Sequence, residues 1–400
     1  MEQKSQDSPF DIALSYYTRA EVGLGLLSEA LNENPIKIRD IIRQKGHKLI
    51  APHGFFKESI LSEEIDFKND IVLDICGVLT LFDLNLLEIV SSEFDKLTIT
   101  HTTYDLIYEH LQQNIYNITD GETLNNSPLL EAVNKYLTIE SPNTLKLNKN
   151  EKERLYKEFG RSFYDSALLA QEKEAVLLSD DLVFRKQTTR LMNSVELVWI
   201  IPLLKHLKED KAIEDEIYHD CLIKLIEQKY SFISINEHTL LHCLKCDGYI
   251  VTDRFIALTK MLSGIVSTTE SATHTMFKFF HLLIILRNLI PEELVSISMV
   301  VLCSLSTERN LDEVIDSYET IMEKYNGIPH LYKFLKLMLF KFRRLYNFLI
   351  SSNKTLIFTG TNSIGCLEKG ILNLNRHTSN YFLKKNVTNV LRSKILWFQK

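Results

Sequence analysis

Glycine and proline are scarce in this chain, at 13 and 8 of 400 residues. That excludes a collagen-like or low-complexity polypeptide and leans the reading toward helix, because these two residues are the usual helix breakers. Cysteine is scarce too. The six present are unevenly spaced, do not make a disulfide framework, and are expected to be reduced thiols. Long apolar runs are missing: the most apolar window, around Phe279–Ile290, is cut by His281, Arg287 and Asn288 and falls short of a bilayer span. Met1–Pro9 is polar and of mixed charge, unlike a signal peptide. With 45% apolar and 24% charged residues, these absences predict a cytoplasmic globular protein with no transmembrane segment. The last absence is of acids: from Leu331 to Lys400 a single one, Glu368, stands against 13 Lys/Arg. The first 330 residues therefore hold 33 Lys/Arg against 51 acids, so charge is strongly polarised along a chain whose net is only −6.

The length suits two or three domains of roughly 150 residues each. Residues 1–66 read as an N-terminal helical cap. Ile12–Leu31 has apolar positions at helical spacing and stops near Asn32–Pro35, and a second helix follows over Ile36–Ile42. Residues 67–208 change character. Strands are predicted at Ile71–Leu73, Leu97–Thr100, Ala175–Leu178 and Val195–Ile201. Helices are predicted between them, among others at Leu81–Val90, Thr103–Gln113, Phe163–Glu172 and Leu182–Met192, with a polar Asn-rich loop at Asn114–Ser127. Strand–helix alternation predicts an α/β fold, a parallel sheet sandwiched by helices. Residues 209–400 read almost wholly helical, from Glu214–Lys229 to Pro329–Ser351, with only Thr355–Thr359 strand-like. This is a largely α-helical region whose C-terminal part is basic.

Two of the apolar runs stop on carboxylates. Ile71–Leu73 ends on Asp74, and Ala175–Leu178 ends on Ser179–Asp180–Asp181. Acids at the C-terminal edges of parallel strands converge in the crevice where open α/β sheets place their sites. Asp105 and Asp165 lie between them in sequence, each near a predicted helix start. Such a cluster repels itself and calls for a hard cation; Mg²⁺ or Mn²⁺ takes oxygen ligands and keeps waters for chemistry. Two such ions can support in-line displacement at a phosphodiester. Each acid also has a structural reading. Asp165 would cap a helix Ser166–Glu172, and Asp180 or Asp181 a helix starting at Leu182. Asp105 and Glu109, four apart on one helix, would be solvated surface. Asp74 differs, since a charge interrupting an apolar strand is costly unless paired or metal-bound.

The run of segments Ile71–Leu79, Leu97–Ile107, Tyr164–Ala170 and Ala175–Asp181 resembles the PIN domain, a family of metal-dependent ribonucleases. The resemblance covers about a third of the chain. It implies a PIN-like sheet and a site of four acids, at Asp74, Asp105, Asp165 and Asp181, with Ser179 as the hydroxyl of the last turn. Asp180 is a further candidate ligand. The second acid is Asp105 or, one turn on, Glu109. Where family members carry a polar pair after the first Asp, this chain has Ile75–Cys76, and Leu106 stands where a Glu is frequent. By resemblance, metal-bound water would attack RNA and leave a 5′-phosphate and a 3′-hydroxyl.

Two other patterns remain. His238, His242, Cys243 and Cys246 fall within nine residues, but no second half of a zinc finger follows. Leu240, Leu241 and Leu244 instead make the segment an amphipathic core helix. On the predicted helix from Leu331 to Ile350, Lys333, Lys336, Arg343 and Arg344 share one side, with Phe334, Leu335, Met338 and Phe342 opposite. Lys384 and Lys385 add charge beyond. Such a surface suits an RNA backbone or an acidic protein partner, or is solvated charge over a packed helix. The leading expectation is thus a Mg/Mn-dependent ribonuclease. The second is a catalytically inactive PIN-like domain within a helical interaction scaffold of a regulatory or defence system.

Overall fold

The computed structural model describes residues 8–47, 49, 70–115, 127–143, 149–192, 194–230, 233–262, 268–286, 291–306 and 309–351. The chain forms two compact units, Met1–Ile233 and Ser234–Lys400.

The first unit opens with three helices, α1 (Pro9–Thr18), α2 (Leu24–Leu31) and α3 (Pro35–Gln44). The single helix predicted over Ile12–Leu31 is therefore two. Ala20 takes a left-handed conformation (φ 56°) and Gly23 is extended at the N-cap of α2, so the apolar spacing continues while the helix does not. The α/β part follows as β1 (Asp70–Leu73), α4 (Ile75–Asp83), α5 (Leu87–Glu93), β2 (Lys96–Thr100), α6 (His101–Ile115), α7 (Pro128–Tyr136) and β3 (Thr138–Glu140). After these come α8 (Lys149–Phe159), α9 (Arg161–Lys173), β4 (Val176–Leu178), α10 (Leu182–Leu191) and β5 (Glu196–Val198). Two helices, α11 (Ile200–Glu209) and α12 (Asp215–Glu227), complete the unit's regular structure.

The sheet is five-stranded and wholly parallel, in the order β3-β2-β1-β4-β5. Its two central strands are buried on both faces: Ile71–Leu73 and Val176–Leu178 are all 0% exposed. That explains why they read as unbroken apolar runs rather than as alternating ones. The strand order reverses between β1 and β4, whose chains leave in opposite directions. The crevice beyond the C-terminal ends of those two strands is where a doubly wound sheet can hold a ligand.

Two more predicted elements are corrected, and one strand appears that was not predicted. Leu81–Val90 is not one helix, because Asn85 is left-handed (φ 60°) and separates α4 from α5. These two meet at 111°, and among the described residues no single helix is long and apolar enough to cross a membrane. The strand Val195–Ile201 stops at Val198, and Ile200 begins α11. Pro202 is tolerated there because the N–H groups of a helix's first turn have no intrahelical acceptor, so a missing one forfeits no bond. β3 was not expected at all. It is a three-residue edge strand, exposed to half-buried, whose one apolar residue, Ile139, is too little to show a period. The strand expected at Thr355–Thr359 lies outside the described residues.

The second unit is helical: α13 (Glu237–Cys246), α14 (Asp253–Lys260), α15 (Thr269–Leu286), α16 (Pro291–Leu305), α17 (Leu311–Lys324) and α18 (Pro329–Ser351). Each helix from α13 to α16 packs on the helix two along in sequence, the packing order of stacked helical hairpins. The core is aromatic. Phe277 meets Tyr318 edge-on at 4.6 Å, and the buried Tyr318 hydroxyl donates to Leu335 O at 2.9 Å. In α13, Cys243 is buried, and burial pushes its thiol up to about 12. Of the four candidate zinc ligands, His242 Nε2 and Cys246 Sγ lie 3.6 Å apart.

Candidate active site

The acids at the strand ends are drawn together by one hydroxyl. β1 hands the chain to α4 through Asp74, an extended residue (φ −82°, ψ 178°) whose Oδ1 caps the helix by accepting from Gly77 N–H at 2.7 Å. Its Oδ2 accepts from Ser179 Oγ at 2.5 Å. Ser179 stands just past β4, and its oxygen in turn accepts from Asp181 N–H at 3.2 Å. Asp181 is the N-cap of α10, with Oδ1 accepting from Phe184 N–H at 3.0 Å. Its Oδ2 accepts from the amide of Leu24, 157 residues earlier in the chain. The capping role open to Asp181 is therefore real. It coexists with a place beside Asp74, because strand end and helix start are the same turn.

Asp165 does not cap a helix. α9 begins at Arg161, so Asp165 lies a turn inside it. There Oδ1 accepts from the Tyr156 hydroxyl at 2.9 Å and Oδ2 from Thr102 Oγ1 at 3.0 Å. Thr102 follows β2 and is bonded to Thr100. Asp180 turns away from this group: Oδ1 accepts from Ile200 N–H at 3.0 Å, at the first turn of α11. Its buried Oδ2 makes no hydrogen bond of good geometry, although the Thr80 hydroxyl lies near enough to favour its charged form. Asp105 and Glu109 are exposed on α6. With Glu29, Thr102 and Arg161 they line an open cleft of about 200 Å³, which Thr102 connects to Asp165. Among the described residues, no three of these acids bring oxygens within 4.8 Å of one another.

Residues 72–189 match the family model of the PIN domain associated with the TPR-GreAB-C-PIN system. This segment is a PIN domain. No curated protein and no solved structure matched the chain. The matched span runs from β1 into α10 and takes in Asp74, Asp105, Asp165 and Asp181. The α2 residues that contact Asp181 lie outside it.

Electrostatically the PIN domain holds its acids under strain. Asp74 is 0% exposed, and burial pushes its carboxyl up from the ordinary 3.8 to about 7. The Ser179 hydroxyl and Gly77 N–H oppose that rise, while the charges of Asp181 and Asp180 add to it. Burial also raises Asp181, Asp180 and Asp165, against partners that favour the charged form, which for Asp165 are Tyr156, Thr102, Arg161 and Lys152. Arg185 approaches the Ser179 turn and donates Nη1 to Ser179 O at 2.7 Å.

In kind, the donor set of the PIN domain fits a hard divalent cation. It consists of carboxylate and hydroxyl oxygens, the acids are buried and mutually repelling, and no cation pairs directly with Asp74 in the bonds described. Three contributors escape a reading of the sequence: Tyr156, Thr102 and Leu24. Thr102 belongs to the hydroxyl-rich run after β2, a signal that was there to use. The other two owe their roles to tertiary approach alone.

Proposed function

We propose that the PIN domain is a Mg²⁺- or Mn²⁺-dependent phosphodiesterase acting on RNA, within a domain spanning residues 67–208. The observation that carries this reading is the Asp74–Ser179–Asp181 linkage across the switch point of the sheet, with Asp165 on the adjacent α9. PIN domains are often nucleases. Asp74, Asp165 and Asp181 would hold the cation. Bound there, a divalent ion would neutralise the carboxylates and activate a water for in-line attack on phosphorus. The chain's own residues do the positioning. Ser179 fixes the Asp74 carboxyl, Tyr156 and Thr102 fix that of Asp165, and the α10 amide fixes one oxygen of Asp181. Asp105 and Glu109 line the open cleft that Thr102 joins to Asp165, and would hold a second cation or an incoming strand.

Support for RNA comes from the second unit, Ser234–Lys400, which lies within the helical domain proposed for residues 209–400. On α18, Lys333, Lys336, Arg343 and Arg344 are exposed, opposite buried Phe334, Leu335, Met338 and Phe342. Phe340 is 58% exposed among them, and Arg344 lies over its ring. Cations interleaved with an accessible ring suit single-stranded RNA, which offers phosphates and stacking bases. Lys384 and Lys385 lie outside the described residues. Cleavage of RNA with Mn²⁺ tests the proposal. Asp74→Asn should lower the rate by at least about 100-fold, and equal rates would end it.

A second reading has an observation of its own. All six carboxylate oxygens of Asp74, Asp165 and Asp181 already accept hydrogen bonds from the chain. A PIN domain without activity, carried with stacked helical hairpins as an interaction scaffold in a regulatory or defence system, would look like this. Calorimetry separates the two: a scaffold binds its protein or RNA partner and no Mn²⁺.

A further inference from the structure

The first turn of α2 lies directly on the proposed site. Gly23, its N-cap, packs so closely that a Cβ there would stand 2.9 Å from Asp181 Oδ2 and 3.0 Å from Oδ1. The next residue, Leu24, donates its amide to that same Oδ2. Gly25 then meets the joint between α8 and α9, where a Cβ on it would come within 2.2 Å of Phe159 O. From the other side Gly160, left-handed at φ +83°, could not carry a Cβ without one 3.0 Å from the Gly25 backbone. Backbone sits on backbone and on carboxylate because no side chains intervene. The result is an Asp181 that is 4% exposed, with protein against both of its oxygens.

Besides the Leu24 bond, α2 has Glu29 Oε1 accepting from Arg161 N–H at 3.3 Å, whereas its neighbour α3 is held by more bonds. α3 is pinned: Arg39 donates to Asp83 at 2.9 Å and to Tyr230 OH at 3.2 Å, and Asn34 Nδ2 donates to Leu106 O at 2.8 Å. α2 itself is bracketed by two left-handed residues, Ala20 (φ 56°) before it and Asn32 (φ 49°) as its C-cap. Element ends of this kind are where a chain absorbs a change of backbone angles. If α2 moves and α3 does not, the sheet, Ser179 and the α10 cap of Asp181 are left as they are.

We propose that α2 is an autoinhibitory latch. Its Gly23–Leu24–Gly25 turn occupies the space beside Asp181 that a divalent cation and a phosphate oxygen require, and it swings out on Ala20 and Asn32 before the site can work. The inference rests on the nuclease reading above. A ligand that binds only the open form has its affinity reduced by the fraction of molecules that are open.

Leu24→Pro addresses the latching bond directly. Proline is accepted at the first helical position, and Gly23 (φ −83°, ψ 168°) already has the extended backbone required before it. In the 400-residue chain, calorimetric titration with Mn²⁺ should show Leu24→Pro binding roughly tenfold more tightly than wild type. The gain should vanish in Leu24→Pro combined with Asp181→Asn. Hydrogen exchange of the unsubstituted chain gives an independent reading: the α2 amides should exchange by local opening, ahead of those in β1 and β4. Equal Mn²⁺ affinity with and without Leu24→Pro, or α2 amides that exchange only together with β1 and β4, overturns the latch and leaves the nuclease reading standing. No Mn²⁺ bound by either protein overturns the nuclease reading, and the latch with it.

Discussion

A carboxyl group at the end of a strand buried on both faces is costly in its charged form, and Asp74 has only a hydroxyl and one amide to offset that cost. The pH dependence follows. In the metal-free protein its pKa rises from 3.8 to about 7, with burial the main cause. Below about pH 4 the group is protonated whether folded or not. Between there and about pH 7 the unfolded chain releases the proton more readily, so stability falls as pH rises and the full penalty is present above pH 7. Asp74→Asn keeps an acceptor for Gly77 N–H, can donate to Ser179, and carries no charge. With chelator present, urea denaturation should find the substituted chain about as stable as wild type near pH 3.5. At pH 8 it should be more stable, by roughly 1–4 kcal/mol. A gap that does not widen with pH contradicts the assignment. Ser179→Ala removes the oxygen that serves both Asp74 and Asp181, leaving a buried acceptor and a buried N–H. Its expected cost, about 1–3 kcal/mol in the same denaturation experiment, is more than a surface Ser→Ala would show.

At the scale of elements, the close approach of α2 makes its own prediction. Gly25→Ala drives a methyl group into Phe159 O and the Phe163 ring, and Gly160→Ala adds a positive-φ penalty to the same contact. Each should lower the unfolding free energy by about 1–3 kcal/mol and speed exchange of the α2 amides. Substitution at Gly46 or Gly248, where a Cβ meets nothing, should leave α2 exchange unchanged, although positive φ still penalises stability. Much of this architecture was legible. β1 and β4 announce themselves because strands buried on both faces are apolar without interruption, and Asp74 and the Ser179–Asp181 turn stand out as the polar stops. What escaped was of three kinds. β3 is a three-residue edge strand, Thr138–Ile139–Glu140, too short to match a periodic template. The breaks at Ala20 and Asn85 are left-handed turns at residues with no special preference for them in one case and only a mild one in the other. The partners of the acids depend on tertiary approach. Tyr156 reaches Asp165 only because the chain turns sharply at Gly160, and Leu24 reaches Asp181 across 157 residues.

For the whole molecule the governing fact is the uneven charge, 13 Lys/Arg against one acid from Leu331 onward and a net −18 before it. If the α18 face holds single-stranded RNA by its phosphates, affinity must fall with salt. Replacing Lys333 and Arg344 by Gln should then reduce the slope of log affinity against log salt by about 1.4, two contacts at roughly 0.7 each. An unchanged slope would assign those side chains to solvent. Salt dependence alone, however, does not speak to chemistry.

The most direct measurement is Mn²⁺-dependent cleavage of RNA by the 400-residue Leu24→Pro chain, with and without Asp74→Asn. The account predicts that Leu24→Pro cleaves faster than wild type and that adding Asp74→Asn lowers the rate by at least about 100-fold. Cleavage that is indifferent to Asp74, or absent from the unlatched chain, would contradict it.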